Sequence, residues 1–332
     1  MTLTQLRYIV AIAEAGLNIT LAAERVHATQ PGISRQLRQL EDELGFQFFL
    51  RKGKSLDSIT AAGAQVIARA RVILAEAANI RVLAANLRSD NGGELVIVTT
   101  HTQARFVLPD AVAAVKRGYP DVGIRLEPHG DTELIELLGK GAADLAIIST
   151  ASSPPNVELA IPIFRWDRQI LVPKTHPLAT LGRVPRIDEL ANHALVSYES
   201  SLAPESSLRH AFVEAGCELK LAVTARDADL IKTYVRAGLG VGVLAEMALS
   251  DADREDLCVF SARGLLPTCT SWIVLQRDRV QRDYALDLIA ALAPHIDRRD
   301  LVRVVQGAAE ADWPTPPHWS EFRSGAVSMR AA

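Results

Sequence analysis

Three places in this 332-residue chain gather hydroxyl and amide side chains where an apolar run ends. Thr100, Thr102 and Gln103 follow Glu94-Leu95-Val96-Ile97-Val98-Thr99. Ser149-Thr150 follows Leu145 to Ile148, and Ser197, Ser200 and Ser201 close the run that begins at Leu195. Each run reads as a β-strand, and a helical pattern starts after His101, so the first group lies between a strand end and a helix start. Open α/β sheets bind ligands there. Neutral hydroxyls, an amide and free backbone N–H groups suit a small oxyanion or a hydroxy-amino acid derivative without a balancing cation. A lone Thr at a helix start is usually only a cap. Two hydroxyls and a Gln within four residues favour a ligand.

A second constellation is basic. Ser34, Arg35 and Arg38 fall on one face of a predicted helix whose other face carries Ile33, Leu37, Leu40 and Leu44. Thr29 or Gln30 caps that helix, and Pro31 stands where a first-turn proline is tolerated. A short helix, a tight turn and a second helix with polar residues at its start can enter a major groove. There Gln and Arg reach base edges, and hydroxyls hold phosphate. The run Phe48 to Leu56 has two apolar arms around a glycine-containing basic turn, a wing with Arg51, Lys52 and Lys54 toward phosphate. Any amphipathic helix pair mimics this pattern, so spacing alone leaves a small solvated bundle open.

The elements that position these groups fall into four zones. Before the capped helix come two others, one with Leu3, Leu6, Val10 and Ala13 inward and one over Ile19–His27 capped by Asn18. From Thr60 the pattern is heptad. Val66, Ile73, Ile80 and Leu87 recur every seven residues, beside a small-residue ladder of Gly63, Ala70, Ala77 and Ala84. This predicts a dimerising helix whose seam includes Val66, Ala70, Ile73, Ala77, Ile80, Ala84 and Leu87. Ser89-Asp90-Asn91-Gly92-Gly93 is a polar hinge. From Glu94 to about Ile296 strands alternate with helices as in α/β domains. The tail after Asp297, with Trp313-Pro314-Thr315-Pro316-Pro317, is expected to be loosely ordered.

Composition narrows the classes. The net charge of −3 argues against non-specific coating of nucleic acid but permits a local basic patch. Three cysteines, Cys217, Cys258 and Cys269, make no disulfide framework, which suits a cytoplasmic protein. The opening residues carry Arg7 and Glu14 and do not read as a signal peptide, and no run is long enough for a membrane span. The histidines form no zinc-spaced pair and no Gly-x-Ser-x-Gly elbow occurs, so neither an enzyme, a metal site nor a cofactor is expected. Gly238-Leu239-Gly240-Val241-Gly242 follows a helix and precedes a strand, the reverse of a dinucleotide loop.

The run from Leu21 to Leu37, with Leu40-Glu41-Asp42-Glu43-Leu44-Gly45 and then Leu56 to Gly63, resembles the LysR-type helix-turn-helix almost throughout. Thr99 to Phe106, Asp227 to Arg236 and Gly238 to Val243 are similar to the CysB-like branch of that family, which senses sulfur status. The resemblance extends from Met1 to about Ile296. It implies a winged helix-turn-helix (1–60), a linker helix (61–88), a hinge (89–93) and a two-lobed, periplasmic-binding-protein-like α/β effector domain (94–297). Lobe I would take about 94–162 and 266–297, lobe II about 163–265, with the tail at 298–332.

By the same resemblance Gln30, Pro31, Ser34 and Arg35 occupy the positions that read operator DNA, and the helix face and the wing add Thr29, Arg38, Arg51, Lys52 and Lys54 to the expected contact. Thr100, Thr102, Gln103, Ser149, Trp166 and Ser201 hold a small anionic effector such as sulfate, O-acetylserine or N-acetylserine. The implied partners also include RNA polymerase and copies of the chain, a homodimer assembling to a homotetramer. The branch usually has Tyr at Phe106 and a ligand-binding Thr where Ala203 stands, and Pro204-Glu205 replace glycine and a basic residue. The hydroxyl lost at Ala203 and the charge gained at Glu205 make an anion less welcome there. The alternatives are a family member of another pathway and, more remotely, a stand-alone solute-binding protein or an enzyme.

Overall fold

The computed structural model describes residues 1–53, 55–88, 92–151 and 153–324, with Thr132 by its backbone alone. They divide into two compact units, Met1–Arg88 with Asp278–Val280, and Ser89–Arg277 with Gln281–Ala332.

The first unit contains helices α1 (Leu3–Glu14), α2 (Ile19–Arg25) and α3 (Gln30–Leu44), strands β1 (Phe49–Lys52) and β2 (Ser55–Ile59), and helix α4 (Ala61–Leu87). Every helix start carries a side-chain cap: Thr2, Asn18, Thr29 and Thr60 each accept an N–H from the first turn. Gly45, in the left-handed region at φ 80°, ends α3. Leu6, Ile9, Ile12, Ile33, Leu37 and Leu40 form the core with Phe48 and Phe49. Leu3 and Leu44, expected inward, are exposed because each sits at a helix end beyond the reach of that core. The antiparallel pair β1–β2 forms the wing. Asp278–Val280 joins this unit through Asn79, which donates to the Asp278 carbonyl (2.6 Å) and accepts from Val280 N–H (3.0 Å).

Gly63 is required where α4 leaves the wing. A Cβ there would lie 2.1 Å from the Phe48 carbonyl oxygen. That oxygen already accepts Thr60 N–H at 2.9 Å, so the backbone has no room to retreat. Gly63→Ala is therefore expected to destabilise this unit by about 2 kcal/mol through overpacking, despite the better helix propensity of alanine. Urea unfolding followed by helical circular dichroism measures it, and an unchanged midpoint would refute the close approach.

The second unit holds two five-stranded sheets. The first lobe comprises β3 (Gly93–Thr99), α5 (His101–Phe106), α6 (Leu108–Gly118), β4 (Val122–Pro128), α7 (Asp131–Gly139), β5 (Leu145–Ala151) and β6 (Leu159–Trp166). The chain then crosses to β7 (Arg168–Pro173), α8 (Ile187–Leu190), β8 (Leu195–Tyr198), α9 (Ser207–Glu214), β9 (Leu221–Ala225), α10 (Ala228–Arg236), β10 (Val241–Ala245) and β11 (Leu257–Ser261). It returns as β12 (Cys269–Leu275), followed by α11 (Asp283–Leu292), α12 (Arg298–Val305) and α13 (Trp319–Arg323). The strand orders are β4-β3-β5-β12-β6 and β11-β7-β10-β8-β9. The first crossover is at Asp167, so lobe I extends four residues past the expected boundary because β6 stays paired with β12 through Trp166. The helical pattern after His101 breaks at Val107, leaving α5 only six residues long.

The glycine run after α10 behaves as its order predicts. A Cβ on Gly240, at φ +158°, would meet the Ala194 carbonyl oxygen at 2.3 Å, so glycine here permits close entry into β10. The tail corrects the expectation of loose order as far as residue 324. Leu301, Val304 and Val305 of α12 are buried, and Trp319 and Phe322 pack on Phe164. Aromatic burial outweighs the proline-rich composition; residues 325–332 lie outside the described residues, as do Ser89, Asp90 and Asn91 of the expected hinge. Among the described residues no helix is long and apolar enough to cross a membrane.

His295 is enclosed with no partner at either ring nitrogen. Burial pushes its imidazole down to about 4 from an ordinary 6.5. The unfolded chain therefore binds the extra proton first. Stability is expected to be untouched by this group above pH 6.5 and to fall as pH drops from 6.5 toward 4. His295→Leu should flatten that part of the stability curve relative to the parent. Parallel curves for the two proteins would contradict it.

Candidate functional site

The leading edge of α3 is presented outward. Thr29, Gln30, Pro31, Arg35 and Arg38 are exposed and Ser34 is half-buried, while Ile33 and Leu37 anchor the helix from behind. Gln30 Nε2 donates to Ser34 Oγ at 3.2 Å, which orders two of the polar groups side by side. Gln30, Pro31, Ser34, Arg35 and Arg38 line one concave surface, with Gln39 and Asp42 at its rear. Arg35 and Arg38 have no ion-pair partner among the described residues. Such free guanidiniums suit groups on a nucleic acid.

The wing is less uniform than its composition suggests. Lys52 is exposed, but Arg51 leans on the buried carboxylate of Glu41 at 3.4 Å. Glu41 also accepts Phe48 N–H at 2.9 Å, so the pair ties wing to α3 and draws Arg51 partly away from outside phosphate. Lys54 lies outside the described residues.

On α4 the expected seam divides in two. Ala70, at 1% exposure, is packed in the unit's own core with Ile67, and Val66 lies against the same core. Ala70 is therefore corrected from the dimer seam to an internal contact, because α1 packs along the first half of α4. Ala77 and Ala84 are half-buried, whereas Ile73, Ile80 and Leu87 are exposed, Leu87 at 87%. Val72 and Leu83 add to that apolar surface.

In the second unit Thr100 caps α5, accepting Gln103 N–H at 3.3 Å. Gln103 is 2% exposed, and its Nε2 donates to Ser149 Oγ at 3.1 Å and Ser271 Oγ at 2.8 Å. The two serine oxygens are 3.1 Å apart, and the amide's Oε1 has no partner. Serine hydroxyls donate as readily as they accept. The amide therefore satisfies them in either orientation, and in either one of its polar atoms is left over: Nε2 for an oxyanion, Oε1 for a ligand N–H or O–H. An unmatched buried amide atom costs about 1–3 kcal/mol, which a bound polar group would offset. His101 Nδ1 and Trp166 Nε1 are likewise buried without a partner.

The lobes meet at this point. Thr102 Oγ1 donates to Tyr198 Oη at 3.2 Å, and Tyr198 Oη also accepts Ala245 N–H at 3.3 Å. Arg105 forms an ion pair with Asp229 of α10. Ser201 is buried on the turn after Tyr198 and pairs with Ser197 Oγ at 3.0 Å, while Ser197 donates to the Val243 carbonyl. Thr150 is committed elsewhere, between the Trp272 indole and the Ser153 carbonyl. Ala203 ends the short turn after Tyr198, and Glu205 is exposed.

Tyr198 and Ser271 were not expected from the sequence. Ser271 reaches Gln103 only because β12 places it directly opposite Ser149, a register that spans 122 residues of chain. The one mixed cluster with metal-ligand spacing among the described residues is Asp167, Glu246 and His318, of which Asp167 directly follows Trp166 in sequence.

Residues 3–64 match the model of the bacterial regulatory helix-turn-helix protein, lysR family, and residues 88–297 match the LysR substrate binding domain. The chain is 39% identical over 298 residues to the HTH-type transcriptional regulator CysB of Haemophilus influenzae, covering 90% of this chain and 92% of that one. The crystal structure of the cofactor-binding domain of the Cbl transcriptional regulator is 33% identical, with a TM-score of 0.59 over 65% of this chain and 94% of that one. A full-length OxyR variant from Pseudomonas aeruginosa is 27% identical, with a TM-score of 0.64 over 88% and 97% of the two chains.

Proposed function

As a LysR family member, the group to which both halves of its sequence assign it, the chain is a DNA-binding transcriptional regulator, and we propose that it controls genes of sulfur assimilation or cysteine biosynthesis. The likeness to CysB and Cbl supports that choice of pathway. The reading edge is Thr29, Gln30, Pro31, Ser34, Arg35 and Arg38, with Lys52 and Lys54 on phosphate. The chain works in the cytoplasm with its three free thiols reduced, and it acts as a regulator without catalysing a reaction.

The effector is a small anion of the sulfate or acylated-serine class. It is held by Thr100, Thr102, Gln103, Ser149 and Trp166, with Ser201 behind Tyr198. The observation that carries this is the buried Gln103–Ser149–Ser271 group with one amide atom unmatched. Exposed Ile73, Ile80 and Leu87 pair two chains through α4, and pairs of dimers form a tetramer. Ligand between the lobes favours one closure over another, changing the separation or angle of the DNA modules and so the recruitment of RNA polymerase. It does so only by its different affinity for the two states.

A thermal-shift screen of sulfate, thiosulfate, adenylyl sulfate, O-acetylserine and N-acetylserine tests the effector class. At least one should raise the midpoint in a saturable way. No response to any of the five would remove the sulfur assignment and leave DNA reading intact.

A further inference from the structure

Asp167 is the single residue between β6 and β7, and it is 2% exposed. Its backbone exchanges bonds with Glu246 at the end of β10: Asp167 N–H donates to Glu246 Oε1 (2.9 Å) and Glu246 N–H to the Asp167 carbonyl (3.2 Å). Its carboxylate accepts from Arg263 Nε (2.6 Å) and Thr268 Oγ1 (2.7 Å), both on the return crossover between β11 and β12. Both interlobe crossovers thus converge on one carboxylate.

The tail enters the same point. Trp313 Nε1 donates to the Ala160 carbonyl (2.8 Å), and Arg165 N–H donates to the Pro317 carbonyl (2.8 Å), so the segment runs along the free edge of β6. Trp319 and Phe322 close over Phe164 with ring centroids 4.9 and 5.0 Å away. Between these anchors His318 places Nε2 at 3.2 Å from Asp167 Oδ2 and 3.3 Å from Glu246 Oε1. His318 Nδ1 accepts Ser320 N–H, which leaves Nε2 as the protonated donor between the two carboxylates.

We infer that residues 313–324 are a latch on the interlobe hinge, and that His318, by bridging Asp167 and Glu246, fixes the arrangement of the two crossovers from which lobe closure starts. Donor separations of this size also suit a tetrahedral zinc ion with bonds of about 2.0 Å. Here Arg263 already brings a cation to the same Asp167 oxygen, which favours the latch. The inference does not depend on which effector the lobes bind.

Hydrogen exchange with mass-spectrometric detection, on the full chain without ligand, tests it. His318→Ala should speed exchange about tenfold at Asp167, at Glu246, at Ala262, whose amide bonds the Arg168 carbonyl, and at Ala245, whose amide bonds the same Tyr198 hydroxyl that Thr102 of the other lobe reaches. His318→Gln keeps an N–H donor and should restore most of the protection. Trp319→Ala loosens the segment without touching the hinge and should reproduce the alanine pattern. Changes confined to 313–324 would overturn the latch and leave a merely local contact. Protection of the parent by added zinc, lost in His318→Ala, would overturn it in favour of a metal site.

Discussion

Ser34→Ala and Arg35→Ala together are expected to lower affinity for the specific site at least about a hundredfold, while binding to random duplex changes by only a few-fold. Arg35 is exposed on the leading edge of α3 without an internal partner, and Ser34 beside it is ordered by Gln30. Neither supports the core, which rests on Ile33, Leu37 and Leu40 behind them, so folding should be untouched. A good base-edge contact is worth about 1–3 kcal/mol of discrimination. A dimer loses it in two half-sites, and about 3 kcal/mol is roughly a hundredfold. The double substitution leaves Lys52 and Lys54, the residues proposed to contact phosphate, and with them most of the expected non-specific, salt-dependent binding. Titrations of the parent and the double variant with the specific and the random duplex at one fixed salt concentration measure this. Equal loss on specific and random duplex would mean that these residues touch only the backbone.

Gln103→Ala is expected to remove most of the response to effector. A ligand present at a hundred times its Kd stabilises by about 2.7 kcal/mol, a rise of roughly 5–10 °C for a domain of this size. Removing the amide strips the ligand of the partner that carries the unmatched buried polar atom and leaves Ser149 and Ser271 bonded to each other. A loss of about a hundredfold in affinity would shrink the rise to about 1 °C at the same concentration. The scaffold should survive, since Gln103 makes only side-chain bonds within the site and Thr100 still caps α5. A variant that responds like the parent would place the pocket elsewhere without disturbing the assignment of α3.

The first helices and their caps were legible because their determinants are local: Asn18 and Thr29 each bond an amide three residues away, as Thr60 and Thr100 also do. The polar edge of α3 was legible for the same reason, since helical periodicity alone assigns its two faces. The proposed effector site was half legible. Gln103 and Ser149 stand at strand ends, but Tyr198 and Ser271 join them through lobe docking and strand register, which no spacing encodes. The heptad reading placed Ala70 on a seam because periodicity cannot tell which half of a long helix has a neighbour, and α1 takes the first half. The tail was misread for its prolines. Trp319 and Phe322, three apart on one helical face, were the signal that it packs.

The most direct test of the account is selection of binding sites from a random duplex library with the full-length chain, followed by sequencing of the retained pool. A paired reader that presents α3 twice should enrich an inverted repeat, its half-sites about one helical turn of 10–10.5 base pairs apart or a multiple of it. A retained pool with no shared motif, from protein that is folded and dimeric, would contradict the claim that this helix edge reads sequence.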